Sequence, residues 1–426
     1  MNRLKPYLKP YLKETILAPL FKLFEAILEL LVPLIMAVII DKGIGNQDTS
    51  LILSQGAILI VLGIFGVVVS ITAQYYAAKA ATGFTADVRQ ALFSKIQYFS
   101  FSQLDALGND TLLTRLTSDM NLVQNGLNIA LRLLLRSPFI VGGAIVMAFI
   151  VNVEMAWTFA ITVPILAVVV FGIIYWTIPM YRRVQGQLDR IMRLVHENLL
   201  GVRVVRAFNR EEKEIQSFRE DTEALNQAQQ KVSALSGAMN PITFVIVNVA
   251  LIVILYGGAI KVDTGTLSKG DVIALTNYMS QILVELVKLA NLIVLMTKSV
   301  ASAERIDNIL SMEQDMVEGT QDVHPDSDVA VAFKDVALTY QGDQNAALNH
   351  ISFTALKGET IGVIGGTGSG KSSLVNMIPR FYDATEGSVE VFGQNVRDYR
   401  FASIRGAVGM VLQKAQLFRG TIADNV

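Results

Sequence analysis

The chain lacks cysteine altogether and has few histidines and few charged residues. Its 426 residues include no Cys and only three His. The absence of cysteine excludes disulfides, thiolate metal sites and cysteine nucleophiles, and the wide separation of His196, His324 and His350 argues against a histidine zinc site. Charged residues make up 17% of the chain, against about 25% in soluble domains. The net charge of −1 excludes a global basic field, so we predict no nucleic-acid partner.

What the chain has in excess is apolar sequence, and it is distributed unevenly. Apolar and aromatic residues make up 52% of the total, more than water-soluble domains can bury, which indicates a lipid bilayer as a partner. The long apolar runs lie in residues 1–300, and from Val329 short strands, glycines and polar turns follow. We therefore predict a transmembrane domain over 1–311, a polar linker over 312–328 and a soluble α/β domain over 329–426.

The apolar runs predict six membrane-spanning helices, each about 20 residues or longer. Their predicted ranges are 17–40, 51–78, 131–151, 156–180, 242–260 and 272–297. The connections after spans two and four are long and have helical character, and residues 181–240 are rich in arginine. This charge bias predicts that the N-terminus, the long loops and the C-terminal domain are cytoplasmic. Arg132 and Arg136, at the inner end of span three, are predicted to anchor at the membrane surface.

Four further ionisable residues lie inside the predicted spans and form a possible cavity site. Glu25 and Glu29 are four residues apart in span one, and Glu285 and Lys288 are three apart in span six. Ionisable groups within a membrane are candidates for a functional role. The alternatives are that they face a substrate cavity or that they pair with one another inside the helix bundle, and the sequence leaves both open.

A phosphate-binding loop is the most specific motif in the chain. The segment Gly365, Gly366, Thr367, Gly368, Ser369, Gly370, Lys371, Ser372 fits G-x-x-x-x-G-K-[ST], and Ser373 follows it. Glycines allow successive backbone N–H groups to converge on phosphate oxygens. Lys371 is predicted to reach the outer phosphates and the Ser372 hydroxyl to bind Mg²⁺. Residues 360–364 before the loop predict a buried strand, and residues 372–378 after it predict the start of a helix.

The soluble part resembles the first portion of an ABC-transporter nucleotide-binding domain. The resemblance lies in residues 331–340, 356–360, 380–389 and 411–418, which flank the phosphate loop. It implies that Tyr340 stacks on adenine and that Gln413 approaches Mg²⁺ and the attacking water, so ATP and Mg²⁺ are the implied cofactors. It also implies ATP contacts along the whole loop, from Gly365 to Ser373.

The membrane part resembles the type I ABC exporters in its two long loops. Residues 99–119, including Asp105 and Gly108, resemble the first cytoplasmic loop of that family, and residues 197–208 resemble the second. In the family these loops carry short coupling helices that dock on nucleotide-binding domains, the second one on the partner subunit. The resemblance therefore implies an all-α six-helix transmembrane domain, followed by part of an α/β P-loop domain, in one half-transporter.

Several motifs of a complete nucleotide-binding domain are absent from the sequence as written. No LSGGQ-type signature follows Gln413, there is no apolar strand ending in Asp-Glu, and none of the three His stands in the switch position. We therefore expect the chain to be a fragment of a longer product, truncated within this domain. The complete protein is expected to hydrolyse ATP, whereas the fragment supplies only part of the ATP-binding surface.

These features predict an exporter subunit in the plasma or inner membrane that forms a homodimer or heterodimer. Its expected cargo is an amphipathic small molecule, since the bundle is apolar with few fixed charges. The alternatives are a lipid flippase, a peptide exporter, or a regulatory or asymmetric subunit that binds nucleotide without hydrolysing it. A soluble P-loop kinase is disfavoured by the six predicted spans.

Overall fold

The computed structural model describes residues 3–340, 342–413 and 417–425. The chain folds into two compact units. The first lies within Met1–Asp87 and Met120–Glu304, and the second within Val88–Asp119 and Arg305–Val426. The second unit thus combines the helices between the second and third apolar runs with the residues that follow the last run.

Helices account for the first three quarters of the chain. They are α1 (Lys5–Leu8), α2 (Leu12–Val38), α3 (Thr49–Gln97), α4 (Phe101–Leu107), α5 (Asn109–Thr114), α6 (Met120–Ile129), α7 (Arg136–Val151), α8 (Val153–Ala207), α9 (Glu211–Gly237), α10 (Met239–Asp263) and α11 (Lys269–Ser311). A 3-10 turn at Lys9–Tyr11 and π-helical segments at Ile39–Ile44, Arg115–Asp119 and Ala130–Leu134 complete this part. The predicted long loops are therefore helical extensions of the spans.

Six helical stretches within the described residues are long and apolar enough to cross a membrane, which confirms the six predicted spans. They are Lys5–Ile44, Thr49–Gln97, Asn109–Val151, Val153–Ala207, Glu211–Asp263 and Lys269–Ser311. Only short connections separate the first from the second, the third from the fourth and the fifth from the sixth, as the sequence predicts. Each stretch satisfies its own backbone hydrogen bonds, which is a requirement within hydrocarbon.

Alanines occupy much of the buried core of the first unit. Fully or nearly fully buried examples are Ala26, Ala37, Ala144, Ala148, Ala156, Ala250 and Ala274. Small side chains allow helices to approach closely, so that dispersion contacts stabilise the bundle where lipid supplies little hydrophobic driving force. Large apolar side chains such as Ile64, Val168 and Tyr256 are 63%, 73% and 72% exposed, respectively. Their exposure is the arrangement expected of surfaces that contact lipid or another chain.

The second unit contains a small antiparallel sheet with short helices. Its later elements are β1 (Val329–Leu338), β2 (Leu348–Leu356), α12 (Lys371–Met377), β3 (Glu386–Val391), β4 (Gln394–Asn395), a 3-10 turn at Val396–Asp398, α13 (Phe401–Ala407) and α14 (Ile422–Asn425). The strand order is β2-β1-β3-β4, and all three pairings are antiparallel. Phe333, Leu374, Met377, Val389 and Tyr399 belong to its apolar core.

The predicted buried strand over residues 360–364 is wrong for this structure. These residues belong to no helix or strand, and Ile361, Val363 and Ile364 are 48%, 47% and 98% exposed. A strand that is buried on both faces needs neighbouring strands for its backbone groups and layers on its faces. The described residues supply neither here, so the apolar run forms no strand and remains exposed.

Candidate functional site

The phosphate loop lies before α12, which begins at Lys371 as the sequence predicts. The Lys371 ammonium donates to the carbonyl oxygens of Gly365, at 2.9 Å, and Gly366, at 2.7 Å. It also lies 3.3 Å from the hydroxyl of Ser369. The loop therefore curls around the side chain of its own lysine. All three acceptors are neutral, so the positive charge remains available to an anion.

Glycine is required by the backbone at the end of the loop. Gly370 precedes α12 in the left-handed conformation, with φ 85° and ψ 1°. A Cβ at this position would lie 2.7 Å from the carbonyl oxygen of Ala347. Gly368 also has a positive φ, of 82°, and a Cβ at Gly365 would lie 2.5 Å from the Ser369 hydroxyl. This close curvature is the geometry that presents backbone N–H groups to phosphate oxygens.

The two serines after Lys371 have different surroundings. The Ser372 side chain is exposed at the start of α12, where its hydroxyl is accessible to a metal ion bound with phosphate. Ser373 is buried, and its hydroxyl accepts a hydrogen bond of 2.7 Å from the hydroxyl of Tyr340. The residue predicted to stack on adenine is thus tied directly to the phosphate-loop helix.

Tyr340 follows the end of β1 and is half-buried. Its ring meets that of Tyr382 edge to face, with centroids 5.1 Å apart. Gln413, the other residue singled out by the family resemblance, is exposed. Residues 414–416 of the same predicted loop lie outside the described residues, as do Gln341 and Val426. Stacking of Tyr340 on adenine and the role of Gln413 stay predictions.

Helix α4, in the segment that resembles the first cytoplasmic loop, is anchored within the second unit. Its N-terminus carries a capping box, in which Ser100 and Gln103 each accept from the backbone N–H of the other. The Ser100 hydroxyl also donates to Asp315 at 2.8 Å, and the Gln103 amide donates to the carbonyl of Glu313 at 2.7 Å. These bonds join the helix to the residues that follow the last span.

Aromatic side chains form the other attachment of α4. The ring of Phe101 lies 4.4 Å from that of Phe381 and 6.0 Å from that of Tyr382, between centroids. The Tyr382 hydroxyl donates a 2.6 Å hydrogen bond to Oδ2 of Asp105. Burial, together with this bond to Asp105, raises the pKa of Tyr382 above its ordinary value. Tyr382 therefore remains a protonated donor at physiological pH.

Tyr382 and Phe381 are functional candidates that sequence reasoning missed. Both lie in the segment 380–389, which carries part of the family resemblance, but their spacing gives no sign of a contact with Asp105. The sequence distance between Tyr382 and Asp105 means that only the folded chain brings them together. A buried aromatic hydroxyl usually has a hydrogen-bond partner, and this rule is the one signal that points to Tyr382.

The ionisable residues of the first unit form a buried ion network. Arg136 donates to Oε1 of Glu285 at 3.0 Å and to Oε2 of Glu29 at 2.5 Å. Glu285, whose side chain is 2% exposed, also accepts from Ser137 at 2.7 Å and from Lys288 at 2.9 Å. The network joins α2, α7 and α11. Two carboxylates on other helices thus hold Arg136, and its anchoring at the membrane surface stays a prediction.

Glu25 lies outside this network. Its carboxylate forms an ion pair of 2.5 Å with Lys22 on the same helix, and Lys22 also donates to the hydroxyl of Ser70 at 2.9 Å. Lys22 is 6% exposed. Each acidic residue of the possible cavity site therefore has a cationic partner in the bundle.

Comparison with known proteins gives the family. The profile of the ABC transporter transmembrane region matches residues 15–286, and the ABC transporter profile matches residues 348–425. The first match alone covers more than half of the chain. The chain belongs to the ABC transporter family. Its six spans and its small antiparallel sheet with a phosphate loop agree with the half-transporter arrangement of ABC exporters, in which a membrane region precedes an ATP-binding region.

Relatives of this ABC transporter cover nearly the whole chain. The ABC transporter ATP-binding protein Rv1273c of Mycobacterium tuberculosis is 34% identical over 411 residues, which are 96% of this chain and 70% of the relative. YfiB of Bacillus subtilis, another ABC transporter ATP-binding protein, is 32% identical over 427 residues, or 100% of this chain and 74% of the relative. The ATP-dependent lipid A-core flippase of Mannheimia succiniciproducens is 28% identical over 91% of this chain and 66% of its own length.

Proposed function

We propose that this ABC transporter is one subunit of a dimeric exporter that couples ATP binding and hydrolysis to the export of amphipathic small molecules. The observation that carries the proposal is the loop curled around Lys371 in the same chain as six membrane spans. Such a loop is an ATP-binding device when it opens a helix. Bound nucleotide would supply the free energy of transport.

The residues of the loop fit a nucleotide with Mg²⁺. Gly368 and Gly370 have positive φ values that let the loop curl in front of α12, and Lys371 is held by neutral acceptors that a phosphate could replace. In our proposal the Ser372 hydroxyl binds Mg²⁺, Tyr340 orients the base, and Gln413 orients water and metal. To move a closure equilibrium from 1:99 to 99:1, the closed state must bind nucleotide about 5.5 kcal/mol more tightly than the open state.

The cargo is proposed to contact the partly exposed members of the ion network. Glu29 and Lys288 have side chains that are 39% and 46% exposed, whereas that of Glu285 is 2% exposed. The buried members Arg136 and Glu285 hold the helices together, and the exposed ones can meet a polar head group. A second candidate function, lipid flipping, is favoured by the lipid A-core flippases among the relatives.

We further propose that the protein resides in the plasma or inner membrane, with the N-terminus, the long loops and the phosphate loop in the cytoplasm. The arginine-rich connection between the fourth and fifth spans supports this orientation. A single thiol placed in the phosphate-loop unit would report its side of the membrane in intact cells, because the chain has no cysteine of its own. Labelling by an impermeant reagent from outside would contradict the orientation.

The test of function compares Lys371→Ala with the matched control Lys334→Ala in reconstituted protein. Photolabelling by 8-azido-ATP should weaken about 10- to 100-fold in Lys371→Ala, since a charge-assisted hydrogen bond contributes ~1.5–3 kcal/mol. In the complete protein, ATP-driven movement of a fluorescent amphipathic dye and of a fluorescent lipid distinguishes the two cargo classes. Lys334 has a side chain that is 61% exposed and pairs with Glu390, so Lys334→Ala should leave the photolabelling unchanged. Equal labelling of both variants and the wild type would contradict the proposal.

A further inference from the structure

A continuous set of contacts runs from the phosphate-loop helix to α4 inside the second unit. It passes from Ser373 to Tyr340, from Tyr340 to Tyr382, and from Tyr382 to Asp105. We propose that Tyr382 is a positioning residue that transmits occupancy of the nucleotide site to α4. This inference rests on the proposed function, because it requires nucleotide to bind beside Tyr340.

We call this set of contacts the relay. Its first half joins α12, the helix after the phosphate loop, to Tyr382. The hydroxyl of Tyr340 donates to Ser373 at 2.7 Å, so movement at the start of α12 changes the position of the Tyr340 ring. That ring meets Tyr382 edge to face at 5.1 Å and an interplanar angle of 84°. Edge-to-face pairs depend on orientation because ring edges and faces carry opposite partial charge. A base stacked on Tyr340 would therefore change the edge-to-face contact between the rings of Tyr340 and Tyr382.

The second half of the relay joins Tyr382 to α4. Tyr382 is 8% exposed, so its ring has little freedom to move independently of its neighbours. Its hydroxyl donates to the carboxylate of Asp105 at 2.6 Å, a bond to a charged acceptor and therefore stronger than a neutral one. The Phe101 ring lies 6.0 Å away on the same helix. Reorientation of Tyr382 would thus displace α4 through the hydrogen bond to Asp105.

Other contacts hold α4 in place without the Tyr382 hydroxyl. Phe101 packs on Phe381 at 4.4 Å, Ser100 donates to Asp315, and Gln103 donates to the carbonyl of Glu313. Loss of one hydroxyl should therefore leave the helix docked but insensitive to nucleotide. A merely structural role for Tyr382 would instead loosen α4 whether or not nucleotide is present.

The experiment uses the absence of native cysteine. Ala106→Cys, at an exposed position of α4, gives a single thiol for an environment-sensitive bimane label. The label's emission is recorded as MgATP is added, in backgrounds carrying Tyr382→Phe, Asp105→Asn or both. The control is Tyr399→Phe, which removes a buried hydroxyl that donates to the carbonyl of Val391 at 2.8 Å in the same unit.

We expect the MgATP-induced change in emission to fall about tenfold in Tyr382→Phe and in Asp105→Asn, a typical size for coupling between two sites. The double variant should lose no more than either single one, since both remove the same bond. The midpoint of the MgATP titration should stay within about twofold of the wild type. Tyr399→Phe should keep the full change in emission.

Three results would overturn the inference. The first is an MgATP-induced change in emission in Tyr382→Phe as large as that of the wild type. The second is a loss of that change in Tyr399→Phe equal to the loss in Tyr382→Phe. The third is a label on the otherwise wild-type protein whose emission does not change although MgATP binds. If 8-azido-ATP labelling shows no nucleotide binding to the wild type, both the proposed function and the relay are contradicted. The failure of the relay alone is thereby separated from the failure of nucleotide binding.

Discussion

Arg136 in the membrane unit and Lys371 in the second unit are two cations with different kinds of partners. In the membrane unit, Arg136 and Glu285 are buried and form an ion pair across helices. In the second unit, Lys371 is held by neutral carbonyls and a hydroxyl. A charge neutralised by an opposite charge stabilises a particular helix arrangement, whereas one surrounded by neutral acceptors keeps its attraction for an anion. The comparison separates an ion pair that joins helices from the charge that we propose binds phosphate.

The largest expected effect tests the membrane side of this comparison. Arg136→Met leaves the Glu285 carboxylate buried without its cross-helix cation, which should cost about 3–5 kcal/mol of folding stability. Lys288→Met, at a side chain that is 46% exposed, should cost less. Thermal unfolding of the purified protein in detergent measures both. The double variant Arg136→Met with Glu285→Met should recover much of the loss, and an equal effect of Arg136→Met and Lys288→Met would contradict the comparison.

A smaller effect tests the phosphate loop. Gly370→Ala forces a residue with a Cβ into the left-handed region, at about 1–2 kcal/mol, and brings it against the Ala347 carbonyl. We expect the second unit to become more sensitive to proteolysis and 8-azido-ATP labelling to fall. Gly362→Ala is the matched control, because a Cβ there meets no atom of the described residues within 4 Å. If both substitutions behave alike, the curvature at Gly370 is not required.

Alkaline pH tests the attachment of α4. The pKa of Tyr382 is raised in the folded protein by burial and by Asp105. Its stabilising contribution is therefore complete below the ordinary tyrosine pKa of about 10 and is lost as pH rises above that value. The loss should be about 1 kcal/mol, the size of one hydrogen bond, and thermal unfolding at pH 8 to 11 measures it. Tyr382→Phe should reduce the dependence of the unfolding temperature on pH in this range. Tyr98→Phe, at a residue that is 72% exposed, should leave that dependence unchanged.

The smallest effect concerns an exposed ion pair. Lys334 and Glu390 lie 2.6 Å apart on neighbouring strands, with the lysine side chain 61% exposed. Lys334→Ala should change stability by less than about 1 kcal/mol, and added salt should remove the difference. Comparison of its thermal unfolding with that of Arg136→Met separates exposed pairs from buried ones. A loss as large as that of Arg136→Met would erase the distinction between exposed and buried ion pairs.

Much of the fold could be predicted because its signals are local. The six spans follow from apolar runs long enough for a bilayer, and α12 follows from a glycine loop that leads into Lys371. The strand expected over residues 360–364 failed because a strand is stabilised by neighbours rather than by its own sequence. The partners of Arg136 could not be predicted for a related reason, since Glu29 and Glu285 come from distant parts of the chain.

The sequence by itself determined that this protein crosses a membrane six times and carries a loop that can hold phosphate. Both properties depend on the hydrophobicity and backbone freedom of consecutive residues, which any conformation of the chain retains. Only the tertiary structure decided that Arg136 pairs with Glu29 and Glu285, and that Tyr382 connects Tyr340 with Asp105. Those contacts join residues far apart in sequence, and they exist only after folding has overcome the entropy that kept them apart.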